Sequence, residues 1–201
     1  MILALDTSSA IAVAVVSDSG ETLASRSIFD PRGHAEHLSA LIAEAIEEAG
    51  AAGAISRVVV GTGPAPFTGL RVGLMTARTL ATVWGVPVEG VCSLDAMGAS
   101  TVGEVTAVAD ARRREVYWAT YRDGVRQSGP AVSAPGDVPV AGAVVGRGAL
   151  LYPDSFPGAV TADPDPALLA AVAARLRSEG AELPTEPLYL RRPDVHGVPG
   201  A

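Results

Sequence analysis

Two apolar runs at residues 2–5 and 11–16, the second rich in β-branched residues, separated only by the short link Asp6-Thr7-Ser8-Ser9-Ala10, constrain this chain more than any other feature. Runs this short and this close leave no room for helices and predict paired strands joined by a hairpin. The turn Ser17-Asp18-Ser19-Gly20 leads into a third, weaker strand at 22–28. Over 36–49 the apolar residues Leu38, Leu41, Ile42, Ala45, Ile46 and Ala49 fall at helical spacing, with Glu44, Glu47 and Glu48 between them. Gly50 is a suitable stop for that helix. A buried strand at 58–60, a helix at 70–84 and a short strand at 86–91 follow.

The second half repeats this order more faintly. Strand-like runs at 105–109 and 116–121 bracket Asp110-Ala111-Arg112-Arg113-Arg114, and an Ala-rich helix at 167–177 is led in by Pro164 and Pro166. Pro and Gly dominate 128–143, which reads as loop or weak strand. Two strand-rich halves, each with helices, predict two α/β lobes covering 1–100 and 101–201.

Composition removes several chemistries. All 15 basic residues are Arg, so a Schiff base, a lysine general base and the lysine of a P-loop are excluded by inventory. The single cysteine, Cys92, cannot form an internal disulfide and reads as a small apolar filler beside Val91. A net charge of −7 argues against holding RNA or DNA unaided, because non-specific affinity comes mostly from neutralised phosphates. No window holds the roughly 18 uninterrupted apolar residues of a membrane span. The start MILALDTSS lacks the basic residues and long apolar core of a signal peptide, so a cytoplasmic location is expected.

The glycine-rich stretch GTGPAPFTGLRVG at 61–73 invites a phosphate-binding reading, which its spacing does not support. It lacks the Lys and spacing of a Walker loop, and Pro66 stands where a dinucleotide fingerprint needs its third glycine. Thr68 is placed to cap a helix starting near Gly69, whose free amides would point outward. Arg71 in that first turn is unfavourable to the helix dipole unless a carboxylate or anion lies near.

GTGPAPFTGLRVGL, MILALDTSS, HAEHLSALIAEAIEEAG, DARRREVYWATY and LYLR together resemble, in order, segments of the bacterial TsaB (YeaZ) family. The likeness spans essentially the whole chain. Ala65-Pro66 replaces the family's usual Gly-Ser pair. The resemblance implies a two-lobed actin-like, sugar-kinase-like and Hsp70-like (ASKHA) fold with ribonuclease H-like lobes. It also implies a role in making N6-threonylcarbamoyladenosine at tRNA position 37, as a non-catalytic scaffold for the transferase TsaD, joined by the ATPase TsaE. Homodimers are implied when TsaD is absent, and tRNA would be met only through the complex.

Candidate residues follow from both lines. Leu41, Ile42, Thr68, Leu70, Arg71, Leu74, Met75 and Arg78, on the two helices of the first lobe, are the expected partner-binding set. Asp6, Thr7 and Ser8 are the expected nucleotide-binding set, should the alternative of an ASKHA-type ATPase or kinase hold. No catalytic residue, metal or cofactor is expected: His34 and His37 share one helical face, but no third ligand accompanies them, and His196 lies in a Gly/Pro-rich tail. This leaves little for the metalloprotease reading. Strand alternation places Arg112 to Arg114 in a hairpin turn, with Tyr117, Trp118 and Tyr121 divided between two faces, favouring a structural hairpin over an RNA site.

Overall fold

A computed structural model describes residues 1–30 and 34–191. Strands β1 (Ile2–Asp6), β2 (Ile11–Val16) and β3 (Thr22–Ile28) form the expected antiparallel meander, and β4 (Arg57–Gly61) and β5 (Val88–Val91) extend it in parallel. The resulting order is β3-β2-β1-β4-β5. Leu3 and Leu5 of β1 share a core with α1 (His34–Glu48) and α2 (Phe67–Trp84), whereas Ala4 packs with α5 (Pro166–Ser178). Both faces are therefore covered, which is why these strands read as continuous apolar runs rather than alternating ones.

The second sheet comprises β6 (Glu104–Asp110), β7 (Val116–Arg122), β8 (Val125–Ser133) and β9 (Ala143–Val145), in the order β8-β7-β6-β9 with β9 parallel to β6. It repeats the first sheet: a three-stranded meander, then a strand parallel to the first. Two such ribonuclease H-like lobes make the ASKHA arrangement. Helix α3 (Ser93–Gly98) packs on one face of this sheet and α4 (Arg147–Leu150) on the other. None of the described helices is long and apolar enough to cross a membrane.

α3, α4 and most of β9 fall in stretches to which the sequence reading gave no element, and two further features qualify it. Part of the segment read as loop or weak strand, 128–143, belongs to β8, which tolerates Gly129 and Pro130 because it is the edge strand and its register shifts there. Second, α5 comes from the second half yet packs against β1, β2, β4 and β5 of the first sheet. Ala4 and Ala14 leave room for it on that face. The sheets divide near residue 100, but the helices do not respect that division.

Candidate functional site

A cleft of about 600 Å³ opens where the lobes meet, walled by Thr7, Ser8 and Ser9 after β1, by Phe67 and Thr68 opening α2, and by Asp110, Arg112 and Arg147 across from them. One clasp spans it. Arg147 donates from Nε and Nη2 to Asp163 at 2.8–2.9 Å, and Ser9 Oγ donates to the same carboxylate at 2.6 Å. The Arg147 guanidinium also lies 4.0 Å from the centre of the Phe29 ring.

Of the three residues read as nucleotide-binding, Thr7 and Ser8 line the cleft and Asp6 does not. Asp6 lies beneath the wall, 1 % exposed, with its oxygens taken internally. Oδ1 accepts from Ser8 N at 2.7 Å and Ser8 Oγ at 2.5 Å, and Oδ2 accepts from Ser93 Oγ at 2.6 Å. Ser93 in turn accepts from Gly63 N at 3.1 Å and donates its own N–H to Gly63 O at 2.7 Å. Asp6 thus ties the link after β1 to the glycine-rich loop and to α3. Thr7 donates to Gly69 O at 2.8 Å and adds a second tie.

Burial pushes the Asp6 carboxyl up to about 6, against the opposing pull of the Ser8 and Ser93 hydrogen bonds. The folded value lies above the unfolded one, so the fold binds this proton more tightly than the unfolded chain does. The stability this group contributes is present below about pH 4 and is lost as pH rises through 6, about 3 kcal/mol in all. Asp6→Asn removes the titration. Urea unfolding of both proteins between about pH 4 and 7.5 should show the variant gaining on the wild type by about that amount as pH rises. A constant difference across the range would show that Asp6 does not titrate there.

Helix α2 starts at Phe67, ahead of the expected start at 69–70, which corrects the role read for Thr68. Pro66 occupies the N-cap position without a side-chain cap, and Thr68 stands exposed inside the first turn. Arg71 turns to an aromatic pair. It donates from Nε to Tyr189 Oη at 2.9 Å, and its guanidinium lies 3.5 Å from the centre of the Phe67 ring, which stacks on Tyr189 at 5.2 Å. Arg78 donates to Oγ1 and O of Thr185 at 2.8 and 2.7 Å. Both arginines therefore hold a C-terminal strap, residues 183–191, that the sequence alone did not place. Gly90 lets the strap pass: a Cβ there would lie 2.1 Å from Pro184 O.

The expected partner-binding residues separate by burial. Leu70, Leu74 and Ile42 lie in the core beneath the first sheet, because their helical positions face Leu3, Leu5 and Val13; they are not surface residues. Leu41 is half-buried beside them. Thr68, Arg71, Met75, Thr79 and Val83 form the opposite, exposed face of α2 at helical spacing, with Met75 58 % and Val83 73 % exposed.

The β6–β7 hairpin carries Arg112 to Arg114 in its turn, as read from strand alternation. All three adopt left-handed backbone, at φ 61, 53 and 62°. Cys92 is buried among Leu94, Met97 and Tyr121, its thiol pushed up to about 12 by burial first and Asp95 second, consistent with an inert filler. Among the described residues no three His, Cys, Asp or Glu side chains converge on a metal position. His37 Nε2 meets Asp30 Oδ2 at 3.2 Å, while the side chain of His34 and all of His196 lie outside the described residues.

Residues 29–142 match the family model described as TsaD, tRNA N6-adenosine threonylcarbamoyltransferase. An uncharacterized protein of Mycobacterium leprae is 45% identical over 205 residues, and the tRNA threonylcarbamoyladenosine biosynthesis protein TsaB of Escherichia coli is 33% identical over 128. These alignments take in 98% and 60% of this chain, which spans about half the length of each relative, 56% and 54%. The crystal structure of a Pseudomonas aeruginosa protein with similarity to peptidase YEAZ superposes with a TM-score of 0.81 at 30% identity, covering 94% of this chain and 99% of that one.

Proposed function

The chain belongs to the TsaB/YeaZ family, and from that premise we propose that it is the non-catalytic scaffold subunit of a complex that makes N6-threonylcarbamoyladenosine in tRNA. Its partner in this reading is the TsaD-type transferase, docked on the exposed face of α2 around Met75, with Thr68, Arg71 and Arg78 nearby. One observation carries the reading. Met75 and Val83 stand exposed on a helix whose other face is already core, so they contribute nothing to this chain's own packing and suit the dry centre of an interface. The sealed Asp6 and the all-Arg inventory agree with a subunit that supports catalysis in another chain.

A second reading, nucleotide binding by this chain itself, is favoured only by the cleft and its Thr7 and Ser8 hydroxyls. Reconstitution separates the two. Modification of tRNA by the cognate transferase, its threonylcarbamoyl-adenylate synthase and the ATPase subunit should require this chain, which should show no ATP turnover alone. Full modification without the chain would remove the scaffold role, and turnover alone would favour the second reading.

A further inference from the structure

A two-lobed chain bends where it passes from one lobe to the other, at a few residues free to absorb the change in φ and ψ. This chain passes between its lobes three times: from β5 into α3, through Asp163 on the way back to α5, and along the strap. Each crossing is pinned to both lobes.

The first crossing is held from within. Ser93, opening α3, donates its N–H to Gly63 O at 2.7 Å and accepts from Gly63 N at 3.1 Å, and its hydroxyl donates to Asp6 Oδ2 at 2.6 Å, all in the first lobe. Two residues on, buried Asp95 accepts from Tyr121 Oη at 2.9 Å and from Arg126 Nε and Nη2 at 2.9 and 2.6 Å. The same short helix is thereby fixed to β7 and β8 of the second sheet. The second crossing turns on a single carboxylate. Asp163 takes the two-pronged fork of Arg147 from α4 in the second lobe and the Ser9 hydroxyl from the link after β1 in the first. Phe29, just past β3, lies against the same guanidinium.

The strap begins on the first lobe and ends on the second. Gly90 N donates to Leu183 O and Leu188 N to Thr62 O, both at 2.9 Å, while Arg78 and Arg71 hold Thr185 and Tyr189. Leu188 and Leu190 then pack into the core of the second sheet, and Arg191 donates to Ala111 O at 3.1 Å and pairs with Glu115 at the β6–β7 turn. Arg147 and Ser9 of the second crossing line the cleft, as does Phe67, which stacks on Tyr189 of the third, so both outer ties sit at its edge.

We propose that the three ties form a lock: the lobes keep one angle, and the cleft keeps its width whether empty or occupied. Lobe closure is then not this chain's way of grasping a ligand or excluding water. The exposed face of α2 and the β6–β7 turn, joined by the strap, move as one body. The lock goes beyond the scaffold reading and does not depend on it.

Distances between paired spin labels on the full chain test it. S19C with Q127C reports across the lobes and S19C with V83C within the first lobe; all three positions are exposed, and Cys92 stays unlabelled because it is buried. With no other change, the pair across the lobes should give one narrow distance, unmoved by millimolar magnesium-ATP. R147A/R191A, which cuts the two outer ties, should widen that distribution about two-fold or more, while the pair within the first lobe stays narrow. A broad or two-peaked distance across the lobes before any tie is cut, or a shift on adding magnesium-ATP, would overturn the lock. A distribution in R147A/R191A as narrow as without it would also overturn the lock, because the ties would not be what holds the angle. If both pairs widen, the double variant has loosened the fold as a whole, and the milder R147Q/R191Q decides by the same two readings.

Discussion

Met75→Glu should leave folding intact and weaken binding of the transferase subunit about 100-fold. Met75 is 58 % exposed and lies on the helix face opposite the core, so a carboxylate there costs the isolated chain little. In a dry interface the same carboxylate would be buried without a partner, a loss on the order of 3 kcal/mol. The thermal midpoint should stay within about 2 °C of wild type while affinity, read by calorimetry or by pull-down titration, collapses. Unchanged affinity would move the interface away from this face. Arg78→Glu is a poorer probe, because losing the Thr185 contacts would also release the strap. Leu74→Ala, one residue away but 3 % exposed, should instead cost about 2 to 5 kcal/mol of stability through a core cavity.

Gly61→Ala should destabilise the chain by on the order of 3 to 5 kcal/mol, a fall of about 10 °C in midpoint. The added Cβ would stand 1.8 Å from Asp6 Oδ2 and 2.7 Å from Ser93 Oγ, inside the network that joins the first link to the glycine-rich loop. Neither group can yield cheaply, since the carboxylate is buried and already accepts from Ser8 and Ser93. A midpoint within about 2 °C of wild type would mean that the network is slack and that Asp6 relaxes freely. Glycine at this position serves close packing against a carboxylate. The phosphate reading of the loop had no such steric reason behind it.

Much of the architecture was legible because it depends on local periodicity. The meander β1–β3 and helix α1 follow from apolar spacing within windows of about 5 to 15 residues, where each strand or helix declares the face it buries. The edge strand β8 was less legible, because Gly129 and Pro130 weaken the strand signal and only its position at a sheet edge makes them acceptable.

The candidate site divided along the same line. Sequence spacing placed Leu70, Leu74 and Met75 together on one helix, but which of them faces the core depends on how that helix sits on the sheet. A rotation of about 100° per residue separates neighbours that spacing cannot rank. The strap was not visible at all: Arg71 to Tyr189 spans 118 residues and Arg78 to Thr185 spans 107, and no local pattern pairs positions so distant.

The sequence by itself determined which residues are apolar, which chemistries its all-Arg, single-Cys inventory forbids, and the order of the longer strands and helices, because those are properties of short stretches of chain. Only the tertiary structure decided that Asp6 is sealed rather than presented, that α5 returns to the first sheet, and that the strap joins α2 to the β6–β7 turn. Burial, close approach and long-range hydrogen bonding are relations between distant segments, and they come into being only when the chain folds.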